Sequence, residues 1–418
     1  MLDRRVTKAS SVVGLIGMPA FRVLWVADTV GFTASMVNLV TLPSAAIILL
    51  HATPGEVAAL GIIQFLPFPL VGFFAGVVVD RRPKRPLMVS SNVIRFLVLL
   101  SVSLAFGAGH ISLGLLYVAS FLTGLFRVIY DAANQAFVPG LVKPTGLATA
   151  NSTLQSGNGV ALAVTPPLAG LLIAALGPAQ AIAADALLFL PAGVTLLFLP
   201  SRFELPPARP KSFYSELRAG FEVLMRNGPM RRILVATCIF NFGVGVAEPL
   251  FIVFAYRGLH LSPAQVGLTF GLGNLGFLLG ALAAPWLTGR FGLGRVFLVA
   301  TVLIGISEAS TPLSSFGPTS LTLGLIRMFL SLWVTVFNVT ALSYRQSVLD
   351  AHMQGRVNAG FSATTWGVVP LGMALGGALS QTVGLPATFI AGGIMSLAAA
   401  LVLASASMMA IRYADVRT

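Results

Sequence analysis

The chain has 418 residues, of which 56% are hydrophobic and only 9% charged, with a mean hydropathy of +0.90. No single soluble core could bury that much apolar side chain, so the sequence reads as an all-α polytopic membrane protein. A formal charge of +13 would point to nucleic acid in a soluble chain, but its placement excludes that: Lys and Arg gather in the N-terminus, the even-numbered loops and the C-terminus, with Arg257 in an odd-numbered loop and Arg95, Arg127 and Arg327 within apolar runs.

This placement is the positive-inside pattern and predicts that both termini are cytoplasmic. Residues Met1 to Ala20 carry Asp3, Arg4, Arg5 and Lys8 but no short apolar core with a cleavage site, so the first span is expected to start insertion itself. A membrane helix needs roughly 20 mostly apolar residues. Such runs are predicted at Phe21–Leu50, Val57–Val79, Pro86–Ala108, Ser112–Val138, Ala148–Leu176 and Pro178–Leu199, then at Arg232–Tyr256, Pro263–Leu287, Val296–Phe316, Thr319–Tyr344, Val357–Val383 and Pro386–Ile411. They are continuous rather than alternating, which argues against a barrel. Twelve transmembrane helices are therefore expected.

Between the sixth and seventh runs, Pro206-Pro-Ala-Arg-Pro210 precedes Phe213 to Met225, where Leu217, Phe221, Leu224 and Met225 recur at helical spacing among Glu216, Arg218, Glu222 and Arg226. This predicts a short amphipathic helix on the membrane surface. The two halves repeat in register: Gly146-Leu-Ala-Thr-Ala-Asn151 returns as Met353-Gln-Gly-Arg-Val-Asn358, and Gly170 to Gly177 returns as Gly377 to Gly384. Two pseudo-symmetric six-helix bundles follow, over residues 1–200 and 231–418, joined by a linker at 201–230. Repeats of this kind place a substrate site between the halves near the midplane and move it by rocking one half against the other.

The loop after the second run, Gly76-Val-Val-Val-Asp-Arg-Arg-Pro-Lys-Arg85, crowds five charges into six residues. It resembles the signature loop G-x-x-x-D-R-x-G-R-K of the major facilitator superfamily, with Pro83 in place of the usual glycine. The spans, the central helix and the phrase Asp131-Ala-Ala-Asn-Gln-Ala-Phe-Val-Pro139 make the chain similar to the drug and macrolide efflux branch of that superfamily, which also includes siderophore exporters. The resemblance implies a major facilitator fold in a bacterial cytoplasmic membrane, working as a monomer. It also implies a cytoplasmic gate in which Gly76, Asp80, Arg81, Lys84 and Arg85 latch the halves, with Asp131 as relay. Simple anchoring by the cations is the alternative, but anchoring does not need Asp80. The echo at Pro285 to Arg295 has Gly289 where the first loop has Asp80.

Thr165, Pro166, Pro167 and Gly170 in the fifth run resemble the helix-bend motif of exporters, where proline bends a helix and small residues admit a close neighbour. Embedded charges are costly and so mark functional candidates. Asp28 and Glu248 are the candidates for proton or substrate coupling, the alternatives being a structural ion pair or an aqueous vestibule. Asn38 and Asn241 are expected near them, with Phe32, Phe242 and Phe251 as apolar lining. Glu308 is a weaker candidate, because the ninth span packs outside the cavity in the resembled family. Arg127 with Asp131, and Arg327 in the matching phrase, are expected as structural pairs near the cytoplasmic end; Arg95 is also expected to be structural.

Gly271-Leu-Gly-Asn-Leu-Gly276 mimics a nucleotide-binding fingerprint, but no strand precedes it, and helix packing is the better account. His51, His110, His260 and His352 are expected in loops with no metal-ligand spacing, and one cysteine, Cys238, allows no internal disulfide. No catalytic residue, cofactor or metal is expected. The expected function is proton-coupled export of hydrophobic or amphipathic small molecules by alternating access. Its partners are then a small-molecule substrate, protons and the bilayer. The alternative is a siderophore or other metabolite exporter, or a solute importer, of the same superfamily; a polytopic enzyme or non-transporting receptor is a further class.

Overall fold

The computed structural model describes residues 12–71, 79, 81–142, 146–203, 221–349 and 351–409, and among these the regular structure is helical with no strand. In the first half, α1 is Pro19–Leu49, α2 Pro54–Phe65, α3 Lys84–Gly107, α4 Leu113–Leu141, α5 Leu147–Leu176 and α6 Pro178–Leu196. In the second, α7 is Gly228–Ala247, α8 Pro263–Phe291, α9 Leu293–Ala309, α10 Thr319–Val348, α11 Ala351–Gly367 continued by Val369–Thr382, and α12 Gly384–Leu403. Ten described helices are long and apolar enough to cross a bilayer. The runs expected as the ninth and eleventh spans fall outside that number: α9 has 17 residues, and α11 is interrupted at Val368 into pieces of 17 and 14 residues.

Local sequence explains where the helices begin and turn. Ser112 caps α4 by accepting from the Leu115 amide, Asn227 caps α7 by accepting from Met230, and Ser262 with Gln265 forms a reciprocal capping box on α8. Gly177 joins α5 to α6 at φ 82°, and its sequence counterpart Gly384 opens α12 at φ 81°. Side chains with a Cβ rarely adopt that conformation, so the repeat keeps glycine at both corners.

The chain divides into two compact units, Met1–His51 with Ile63–Pro210 and Ala52–Ile62 with Lys211–Thr418. Within the first unit, α1 packs on α5 and α6, and α3 packs on α4 and α6. Within the second, α7 packs on α11 and α12, and α9 packs on α10 and α12. Every one of these pairings has its counterpart six helices later, which is the repeat expressed as packing.

Lipid offers helices no hydrophobic reason to associate, so close contact depends on small residues and shape. Along α8, a Cβ at Gly276 would run into the Met328 carbonyl oxygen of α10, and one at Gly280 into that of Leu332. The G-x-G-x-x-G phrase is thus a helix-packing surface. The second unit's core also stacks Phe337 on Phe240 and Phe297, with ring centroids 4.9 and 5.1 Å apart. On the outward face of α8, Leu278, Leu282 and Trp286 are exposed at one-turn intervals, as a lipid-facing stripe requires. Most of the expected amphipathic linker helix lies outside the described residues; residues 221–226 are helical, with Leu224 buried and Phe221 and Met225 exposed.

Candidate functional site

Asp28 on α1 is buried and held by three neutral donors. Asn134 Nδ2 and Tyr130 Oη from α4 donate to Oδ1 at 2.8 and 3.4 Å, and Asn158 Nδ2 from α5 donates to Oδ2 at 3.2 Å. Tyr130 and Asn134 are one turn apart and so share a helix face. Asn158 reaches Asp28 because Gly157 lets α1 and α5 nearly touch: a Cβ there would collide with the Thr29 hydroxyl and lie 2.9 Å from Trp25 Nε1. Trp25 fixes the same crossing by donating to the Thr153 carbonyl at 3.0 Å. One turn beyond Asp28, the Phe32 ring lies 5.4 Å from the Arg127 guanidinium, and Arg127 pairs with Asp131 at 3.5 Å. Among the described residues, Asp28 therefore has no cation in ion-pairing contact.

A second embedded network was not foreseen. Asp185 on α6 is fully buried and accepts from Asn38 Nδ2 at 3.0 Å and from Thr41 Oγ1 at 3.5 Å, while Gln64 donates to Asn38 Oδ1 at 3.3 Å. Asn38 thus serves Asp185 and does not join the Asp28 cluster. Beside it, Arg95 donates to Ser35 Oγ and stacks over Phe189 at 3.9 Å. The signal was present: Asp185 is the one acidic residue in the apolar run Pro178–Leu199, and the rule that singled out Asp28 applies equally to it.

In the second unit, Glu248 sits where α7 breaks, because Pro249 has no amide hydrogen to continue the ladder. Arg327 on α10 grips it with both arms, Nη1 to Oε2 at 3.1 Å and Nη2 to Oε1 at 2.5 Å. The guanidinium also lies 4.1 Å from the Phe251 ring and 4.8 Å from the Phe270 ring. Gly273 makes room for its stem, since a Cβ there would lie 2.7 Å from Arg327 Cγ. This corrects two expectations. Arg327 lies in the first third of α10, at the end opposite to the one expected, and its partner is Glu248. Asn241 does not join Glu248 but donates to the Thr365 carbonyl of α11 at 3.0 Å. Glu308 on α9, expected to pack away from any cavity, is 2% exposed and lines a cleft with Glu248, Phe251, Arg327, Thr311 and Phe389.

The model of the transmembrane secretion effector family matches residues 11–417. The chain belongs to that family. It is a major facilitator transporter, an integral multi-pass membrane protein and not an enzyme. Macrolide efflux protein A of Streptococcus pyogenes is 21% identical over 91% of this chain and 94% of its own. The multidrug efflux pump Tap of Mycolicibacterium fortuitum is 25% identical over 78% of this chain and 81% of its own. A bacterial homologue of the iron transporter ferroportin, solved in its inward-facing state, superposes with a TM-score of 0.73 over 94% of this chain and 98% of that one; at 19% identity the likeness is one of fold.

In this family member, Gly76 and Asp80 of the signature loop lie outside the described residues. Of their neighbours, Arg81 is exposed, Lys84 is 5% exposed, and Arg85 donates to the Leu197 carbonyl at the end of α6. Helix α5 continues through Pro166 and Pro167, with Thr165 and Gly170 buried beside them. Phe242 is half-buried on α7 and Phe251 is buried against Phe270. His352, expected in a loop, lies in the helix that begins at Ala351. Among the described residues no group of three His, Cys, Asp or Glu could hold a metal ion.

Proposed function

We propose that this transporter exports amphipathic, drug-like or macrolide-like molecules in exchange for protons, by alternating access in a bacterial cytoplasmic membrane. One observation carries the reading: a buried carboxylate, Asp28, whose described partners are all neutral. In a medium of low dielectric constant an ionised carboxylate must be compensated, and a neutral cage leaves that task to something that arrives and departs. A proton serves in one half of the cycle and a cationic or polar substrate group in the other. An exchanger needs that mutual exclusion. A permanently paired carboxylate would be a brace instead.

The names of the relatives, macrolide efflux protein A and a multidrug efflux pump, supply the substrate class. The test is transport of ethidium and erythromycin in proteoliposomes under an imposed pH gradient. Gradient-driven movement of either compound that disappears when the gradient is collapsed is the expected result, and flux indifferent to the gradient refutes proton exchange.

A further inference from the structure

Glu308 is not among the partners of Asp28, yet the fold encloses it closely, leaving it 2% exposed. Three helices converge on it through glycines. On α7, a Cβ at Gly243 would strike Ser396 of α12; on α12, a Cβ at Gly393 would lie 2.5 Å from both the Gly305 carbonyl oxygen and the Ala309 amide of α9. Gly392 brings the α12 backbone alongside the carboxylate, within 3.5 Å of Oε1 for a Cβ built there.

The one hydroxyl this crossing delivers to Glu308 has two acceptors. Ser396 Oγ lies 2.9 Å from Glu308 Oε2 and 3.4 Å from the Phe240 carbonyl oxygen. A serine has a single hydrogen to give and lone pairs to receive. With Glu308 ionised, Ser396 donates to it. With Glu308 protonated, the carboxyl donates to Ser396 Oγ, and the serine hydrogen turns to Phe240. Both protonation states are therefore satisfied without moving the backbone, which a purely structural carboxylate does not require.

Glu308 also lines the cleft it shares with Glu248 and Arg327, which has room for about one water molecule. Among the described residues, Glu248 at the end of α7 and Arg327 from α10 are the charged groups lining that cleft with it; α12 contributes the apolar Phe389 and the turn at Thr311–Phe316 the neutral Thr311. Two carboxyl groups and one guanidinium are neutral overall when one proton is present. We propose that Glu308 is a proton-binding site that exchanges its proton with Glu248 through this cleft. In the step, the Glu308 O–H bond breaks and an O–H bond forms on Glu248, directly or through one water. Arg327 leaves the newly neutral Glu248 and compensates the newly ionised Glu308. Atoms and charge are conserved, and the reverse step resets the pair.

The purpose of this site in transport rests on the proton-exchange reading above, but its existence does not. The test is difference infrared spectroscopy of the reconstituted full chain across a pH titration, together with gradient-driven ethidium flux. A pH-dependent protonated-carboxyl band that is absent in Glu308→Gln and has a moved midpoint in Ser396→Ala is the expected result, with flux in Glu308→Gln down about tenfold. An identical set of bands in wild type and Glu308→Gln, with no change in Ser396→Ala, overturns the proposal. If the band is lost but the wild type shows no gradient-dependent flux, the proton site stands and the exchange reading falls. Should Glu308→Gln fail to fold, the midpoint in Ser396→Ala decides: moved, it supports the site; unmoved, it overturns it.

Discussion

Asn38 on α1 donates to Asp185 on α6 at 3.0 Å, and both side chains are buried. The bond ties two helices that lipid alone would not hold together, and it determines what each substitution costs. Asp185→Ala leaves the Asn38 amide and the Thr41 hydroxyl facing an apolar gap, a loss of about 1–3 kcal/mol. Asp185→Asn keeps an acceptor oxygen in place and is expected to retain most of the stability. Thermal unfolding of the detergent-solubilised protein separates the two, and an alanine variant as stable as wild type removes the network from the account.

Helix packing gives a sharper contrast. At Gly276 a methyl group meets the Met328 backbone, which cannot step aside, whereas at Gly289 on the same helix nothing lies within 4 Å. Gly276→Ala should destabilise by about 1–3 kcal/mol through overpacking. Gly289→Ala should be neutral, or stabilising by up to about 1 kcal/mol through helix propensity. Equal melting temperatures for the two variants would contradict the α8–α10 interface described.

The Arg327–Glu248 pair is half open, with 14% and 39% of the two side chains exposed, so its share of stability is small, about 1 kcal/mol or less. Its geometry matters more. Arg327→Lys preserves charge but loses the two-armed grip and the planar contact with Phe251 and Phe270. Transport should fall about tenfold with little change in melting temperature. Full transport by the lysine variant would show that a point charge suffices there.

The fold class was legible because apolar runs of bilayer length are written directly in the order of the residues. The candidate carboxylates Asp28 and Glu248 were legible for the same reason: each is an acid in an apolar run. Partnerships were not. Asn38 lies ten positions from Asp28, a rotation that leaves it roughly 80° off the same face, and the residue that claims it belongs to a helix whose register no sequence pattern fixes. Asn241 does share a face with Glu248 by spacing, but Pro249 breaks α7 there and packing against α11 offers Asn241 a backbone acceptor first. The place of Arg327 was not legible because the phrase Gly-Leu-x-Arg that it shares with Arg127 is about two turns out of register with the other repeats.

Proton exchange in this protein depends on Asp28. Reconstituted wild type and Asp28→Asn are to be compared for ethidium flux driven by a pH gradient and for ethidium exchange with no gradient, alongside a melting curve for each. The expected result is gradient-driven flux and gradient-free ethidium exchange both reduced at least about tenfold in Asp28→Asn, with folding retained, as the loss of a carboxylate that holds proton and cation in turn requires. Gradient-driven flux equal to wild type, with the same dependence on pH, would contradict it.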